Sequence, residues 1–179
     1  MDAAAPPSTW GLTSEGHRQA AELVSSPWLE DVAILAAGPE PKMVESLRPT
    51  AEMLGVDVVI DETFRETDAR WLPDEEFLAS VDRLFATPTS SPAAGWERSR
   101  DAGRRVLSGL TRISQSAPGD GIAVCSGGRA LTSLLVELGT ISPEHAFTYW
   151  QSISMPDIAV LEMPASGPAV MIRHFADDR

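Results

Sequence analysis

The chain is poor in the side chains that most often carry chemistry. It has one cysteine, one tyrosine and three histidines in 179 residues. A lone cysteine, Cys125, excludes an internal disulfide, and its place in an apolar run reads as a buried, inert thiol. His17, His145 and His174 form no pair at metal-ligand spacing with a carboxylate or thiolate, so neither a metal nor another cofactor is expected. No apolar run approaches the roughly 18 residues that a membrane span needs. Positive charge is also scarce: Lys+Arg 14 stand against Asp+Glu 26, a net charge of -12. Such a surface repels nucleic-acid backbones and anionic lipid, so neither is an expected partner. Met1 to Ser8 are rich in Ala and Pro and lack the basic and apolar regions of a signal peptide, which makes the cytoplasm the expected compartment.

What is present suits one domain with a sizeable core, at 43% hydrophobic and 22% charged residues. Residues 1–12 read as an irregular segment and residues 13–179 as a single domain. Thr13 caps a helix running to Val24. Asp31 to Ala37 and Val56 to Ile60 are continuous apolar runs of the kind buried on both faces of a parallel sheet. Between them, Pro39 opens a helical stretch from Glu40 to Leu54 that Gly55 stops, and Pro49 is expected to kink or divide it. Further helices are expected at Asp74 to Phe85, Trp96 to Ser116 and Pro143 to Trp150. The segment Thr87 to Gly95 is the clearest loop. Gly121 to Cys125 is a third parallel strand. Ile158 to Glu162 and Ala169 to His174 form an antiparallel hairpin at one edge, joined by a turn over residues 164–168. The alternation predicts a three-layer α/β/α sandwich with a mostly parallel sheet.

The most informative stretch is Gly121 to Leu135 (GIAVCSGGRALTSLL). An apolar strand enters Ser126, turns through Gly127 and Gly128, and opens a helix. The free amides and dipole of a helix start favour negative charge, so this is an anion-binding corner. Arg129 lies one residue into the helix and can add charge.

Four segments together resemble the histidine phosphatase (phosphoglycerate-mutase-like) superfamily. Leu12-Thr13 through Gly16 to Gln19-Ala20 looks like the family's "L-T-x-x-G-x-x-Q-A" helix opening. Ala37 to Ser46 looks like its "S-S-P-x-x-R-A-x-x-T" stretch. Phe64-Arg65-Glu66 looks like the "L-R-E" that carries the general acid, and Ser126-Gly127-Gly128 corresponds to Ser-His-Gly. The resemblance spans Trp10 to Arg173. It implies a phosphoglycerate-mutase-like fold and phosphoryl transfer through a phosphohistidine. The nucleophilic imidazole stands in an Arg-His-Gly motif ending the first strand, with arginines and a second histidine on the phosphoryl oxygens.

The departures from that pattern decide the expectation. Residues 1–12 hold no Arg-His-Gly motif, so the first strand is missing from the chain. Gly127 stands where the second histidine belongs, and Lys42 replaces an arginine, keeping charge but losing the bidentate fork. Only Glu66 matches outright, as a vestigial general acid. The leading expectation is a degenerate member that forms no phosphohistidine. It would keep a weak anion pocket for a small phosphate, built from Lys42, Ser126, Gly127, Gly128 and Arg129, or act as a binding or regulatory module. One alternative is a phosphomonoesterase or mutase-like enzyme whose catalytic motif lies outside this chain. Another is a structural or oligomerisation module, in which a second copy or a strand-supplying partner fills the missing strand's place.

Overall fold

The computed structural model describes residues 6–69, 72–164, 167–175 and 177. The five residues before Pro6 and the middle of the expected turn at 164–168 lie outside them. The first helix, α1 (Ser14–Leu23), starts where Thr13 Oγ1 accepts from the Gly16 amide, the side-chain cap that the sequence expects. β1 (Val32–Ala37) follows, then α2 (Pro41–Leu54), which ends at Gly55 with φ 66°. That left-handed turn lets the Gly55 amide reach Ala51 O, and glycine adopts it without a Cβ penalty. Pro49 does not divide α2. It removes one helical hydrogen bond, while Met43, Leu47 and Thr50 bury the helix on either side of it.

β2 (Val58–Ile60) pairs with β1 in parallel, placing Leu35 opposite Val58 and Ala37 opposite Ile60. After a short 3-10 turn at Glu62–Phe64 come α3 (Asp74–Ala86) and α4 (Ser99–Ser116). α4 begins later than expected because Trp96 is buried and the Glu97 amide donates to Asp68 O, which holds the chain extended. β3 (Gly121–Cys125) pairs in parallel with the other side of β1, giving the strand order β2-β1-β3. α5 (Gly128–Glu137) and α6 (Pro143–Ser152) precede β4 (Val160–Glu162) and β5 (Val170–Arg173).

One of the expectations meets a different arrangement here. β4 and β5 are antiparallel, as expected, but they form their own two-stranded sheet instead of an edge of the main one. Among the described residues no strand pairs with the outer side of β3. The described part of the N-terminal segment lies along α2, where the Leu12 amide donates to Glu45 and the Lys42 amide to Trp10 O.

The parallel sheet is covered on both faces. Leu29, Leu35, Ala37, Met43 and Leu47 form one core under α2, while Ala36, Phe64, Val106, Ala130 and Leu134 form the other under α4 and α5. α4 and α5 approach closely because α4 carries Gly103, where a Cβ would stand 2.4 Å from Ser133 O. A third core, including Leu84, Phe85, Trp96 and Leu135, fixes α3 and α6 against α5. No helix among the described residues is long and apolar enough to cross a membrane.

Candidate functional site

The carboxyl ends of β1 and β3 lie side by side, and ligands of open parallel sheets gather at such ends. The backbone is tied there by the Gly38 amide donating to Cys125 O at 3.0 Å. β3 runs into Ser126, and Gly127 is the N-cap residue of α5 with extended backbone and no side chain to offer. The first amides of α5 therefore need an acceptor from elsewhere.

Glu66 supplies it. Its Oε1 accepts from the Ala130 amide at 2.9 Å and from its neighbour Thr67 at 2.7 Å, and its Oε2 accepts from the Arg129 amide at 3.2 Å. The Arg129 guanidinium adds an ion pair at 3.5 Å. Negative charge at a helix start is favoured by the dipole, and a charge-assisted bond is stronger than a neutral one. The amides at the start of α5 are thus already met by a carboxyl group of the chain itself.

Two neighbours hold Glu66 in place. The Glu66 amide donates to Glu40 Oε1 at 2.8 Å, and Glu40 is buried. The Arg129 side chain lies between Phe77 and Trp96, its guanidinium carbon 5.3 and 5.4 Å from the two ring centres. Trp150 and Met155 close over Gly128, where a Cβ would meet Trp150 Nε1 at 3.2 Å and Met155 Cε at 3.1 Å. Several buried polar atoms around this point have no partner: Glu40 Oε2, Thr67 Oγ1, Ser126 Oγ and Arg129 Nη1.

The residues nominated by sequence divide into two groups. Glu66, Gly127, Gly128, Arg129 and Ser126 come together at the corner. Lys42, the single lysine of the chain, sits at the start of α2 with its Nζ 3.4 Å from Pro7 O, and makes no bond to the corner. None of the three histidines bonds to it either. His17 faces Glu45 at 3.7 Å, His145 bonds Ser142, and His174 lies 3.4 Å from the Tyr149 hydroxyl. Burial pushes the Cys125 thiol up to about 12, which fits an inert side chain. Nearby, Glu97 anchors the polypeptide leading into the site. Burial would raise its carboxyl, but Arg105 and Arg65 outweigh that and hold it below the usual carboxylate range.

Sequence reasoning missed Glu40, Thr67, Phe77 and Trp96. Only Glu40 carried a signal: it follows Gly38-Pro39 directly after β1, at the ligand-binding end of a parallel strand.

Comparison with known proteins extends this picture. The family model of the histidine phosphatase superfamily (branch 1) matches residues 7–172. No curated protein matches the chain. Among solved structures, Bacillus stearothermophilus YhfR is similar at TM-score 0.77 and 16% identity, over 96% of this chain and 87% of that one. The native mycobacterial glucosyl-3-phosphoglycerate phosphatase Rv2419c matches at TM-score 0.75 and 16% identity, over 94% and 89%. The alpha-ribazole phosphatase from Shigella flexneri matches at TM-score 0.66 and 15% identity, over 94% and 88%. At these identities the likeness is one of fold.

Proposed function

The chain belongs to the histidine phosphatase superfamily, and from that premise we propose that it is a non-catalytic member whose anion corner is occupied by its own Glu66. The observation that carries this reading is the seat of the Glu66 carboxylate on the Arg129 and Ala130 amides. A group acting as general acid must present a proton to a leaving oxygen. Glu66 instead accepts three amide hydrogen bonds and an ion pair, the surroundings of a structural carboxylate. No imidazole among the described residues bonds to the corner to serve as nucleophile.

On this reading Ser126, Gly127, Gly128 and Arg129 hold external phosphate only weakly, because an incoming anion must displace Glu66. Lys42 helps only if its side chain leaves Pro7 O. The protein then acts by binding, through its surfaces, in place of turnover.

Hydrolysis of an aryl phosphate is the test. The wild-type chain and Glu66→Gln are expected to release phenolate equally slowly, at the rate of a heat-denatured control. Turnover above that control and lost in Glu66→Gln would overturn the proposal and favour the phosphomonoesterase alternative.

A further inference from the structure

The outer edge of β2 is the most exposed apolar feature of the main sheet. Val59 and Ile60 are 54% and 60% exposed. The two strand residues point to opposite faces. Val59 lies opposite Ala36 on the α4 side, and Ile60 lies opposite Ala37 on the α2 side. An added strand would therefore extend both apolar layers of the sandwich at once.

The backbone is free to receive one. The Asp61 amide donates to Ala37 O, so the backbone groups of Asp61 face β1. By alternation the N–H and C=O groups of Val58 and Ile60 point outward, and among the described residues no strand pairs with them. Natural edges are blunted by lysine, proline or a bulge, and Val58–Ile60 has none of these.

The rim selects the occupant. Glu52, Asp57 and Glu62 are exposed and make no salt bridge among the described residues. Asp61 is engaged by Arg112 of α4, and Arg48 stands one helical turn before Glu52. The balance around the strand is acidic, on a chain of net charge -12. A second copy would set this rim against itself, and like charges across a strand pair are destabilising. We infer that the β2 edge is a strand-addition site for a basic, extended segment of another polypeptide, with apolar side chains alternating with lysine or arginine. Backbone bonds supply the fit and charge the selection. This inference is independent of what happens at the corner.

The probe is a short blocked peptide of alternating lysine and valine, titrated against the full chain while backbone amide shifts are followed. Shifts centred on Val58 and Ile60 are expected, weakening with added salt. Ile60→Lys, at an exposed position that leaves the core intact, should weaken binding by roughly tenfold or more. The same peptide with glutamate for lysine should not bind. Four results would overturn the inference: no shift at β2, shifts at another surface, equal binding of the glutamate peptide, or self-association of the chain through β2 in place of peptide binding.

Discussion

The Glu66 carboxylate and the position of a side chain at Gly127 occupy the same volume. A Cβ built on Gly127 would stand 2.2 Å from Glu66 Oε2 and 2.3 Å from its carboxyl carbon. The backbone of Gly127, at φ -80° and ψ 152°, is open to any residue. What glycine provides here is therefore space, and Glu66 fills it. A histidine at 127 and Glu66 on the α5 amides exclude one another.

This exclusion can be measured as a coupling. Gly127→Ala should push Glu66 off the helix start and lose the cap, costing about 1–2 kcal/mol in urea denaturation. Glu66→Ala should cost a similar amount. In the Glu66→Ala background the alanine at 127 should cost little, so the two losses fall well short of adding. Full additivity would mean that Gly127 is required for some other reason.

Emptying the corner should strengthen the weak anion site proposed for the wild type. Wild-type affinity for inorganic phosphate is expected at roughly millimolar or weaker. Glu66→Ala frees the Arg129 and Ala130 amides and the Arg129 guanidinium, and should tighten phosphate by about tenfold, a gain of ~1.4 kcal/mol. Amide shifts at Ser126 to Ala130 during phosphate titration are the readout. If Lys42 turns toward the bound anion, Lys42→Ala in that background will weaken it again. Equal phosphate binding by wild type and Glu66→Ala would show that Glu66 does not guard the corner.

Acid stability should report on Glu97. Its carboxyl is held below the usual range in the folded chain, so the folded state binds fewer protons than the unfolded state as pH falls. The stabilisation is complete above the unfolded carboxylate value of about 4.3. It is lost as pH drops through the lower folded value. Glu97→Gln should flatten this part of the pH–stability curve and lower stability at neutral pH, because Arg65 and Arg105 lose their shared carboxylate. An unchanged acid limb in thermal denaturation at stepped pH would rule the contribution out.

The sequence discloses those parts of the molecule that rest on short-range rules. Thr13 capping α1 and Gly55 ending α2 are legible because each acts on residues within one helical turn. The three parallel strands are legible because strands covered on both faces read as unbroken apolar runs. The corner of Ser126 to Arg129 is visible for the same reason, as a strand, a turn and a helix in succession. Its occupant is not. The resemblance of Phe64-Arg65-Glu66 to a general-acid motif points to the site, but no local rule indicates that the carboxylate lies on amides 63 and 64 residues away. The separation of β4 and β5 from the main sheet is equally hidden, since strand pairing depends on which edges meet in space. Pro49 does not divide α2 because a local helix penalty is outweighed by the burial of Met43, Leu47 and Thr50 around it.

A helix whose cap comes from so far along the chain cannot be finished early. While α5 forms, its leading amides stay open until the Glu62–Phe64 turn has docked against α4 and brought Glu66 across. Closing that loop costs entropy before its bonds repay anything. The start of α5 is therefore expected to order late in folding and to open early, which hydrogen exchange at the Arg129 and Ala130 amides would report. Glu66→Ala is expected to speed unfolding and leave the folding rate nearly unchanged in stopped-flow kinetics.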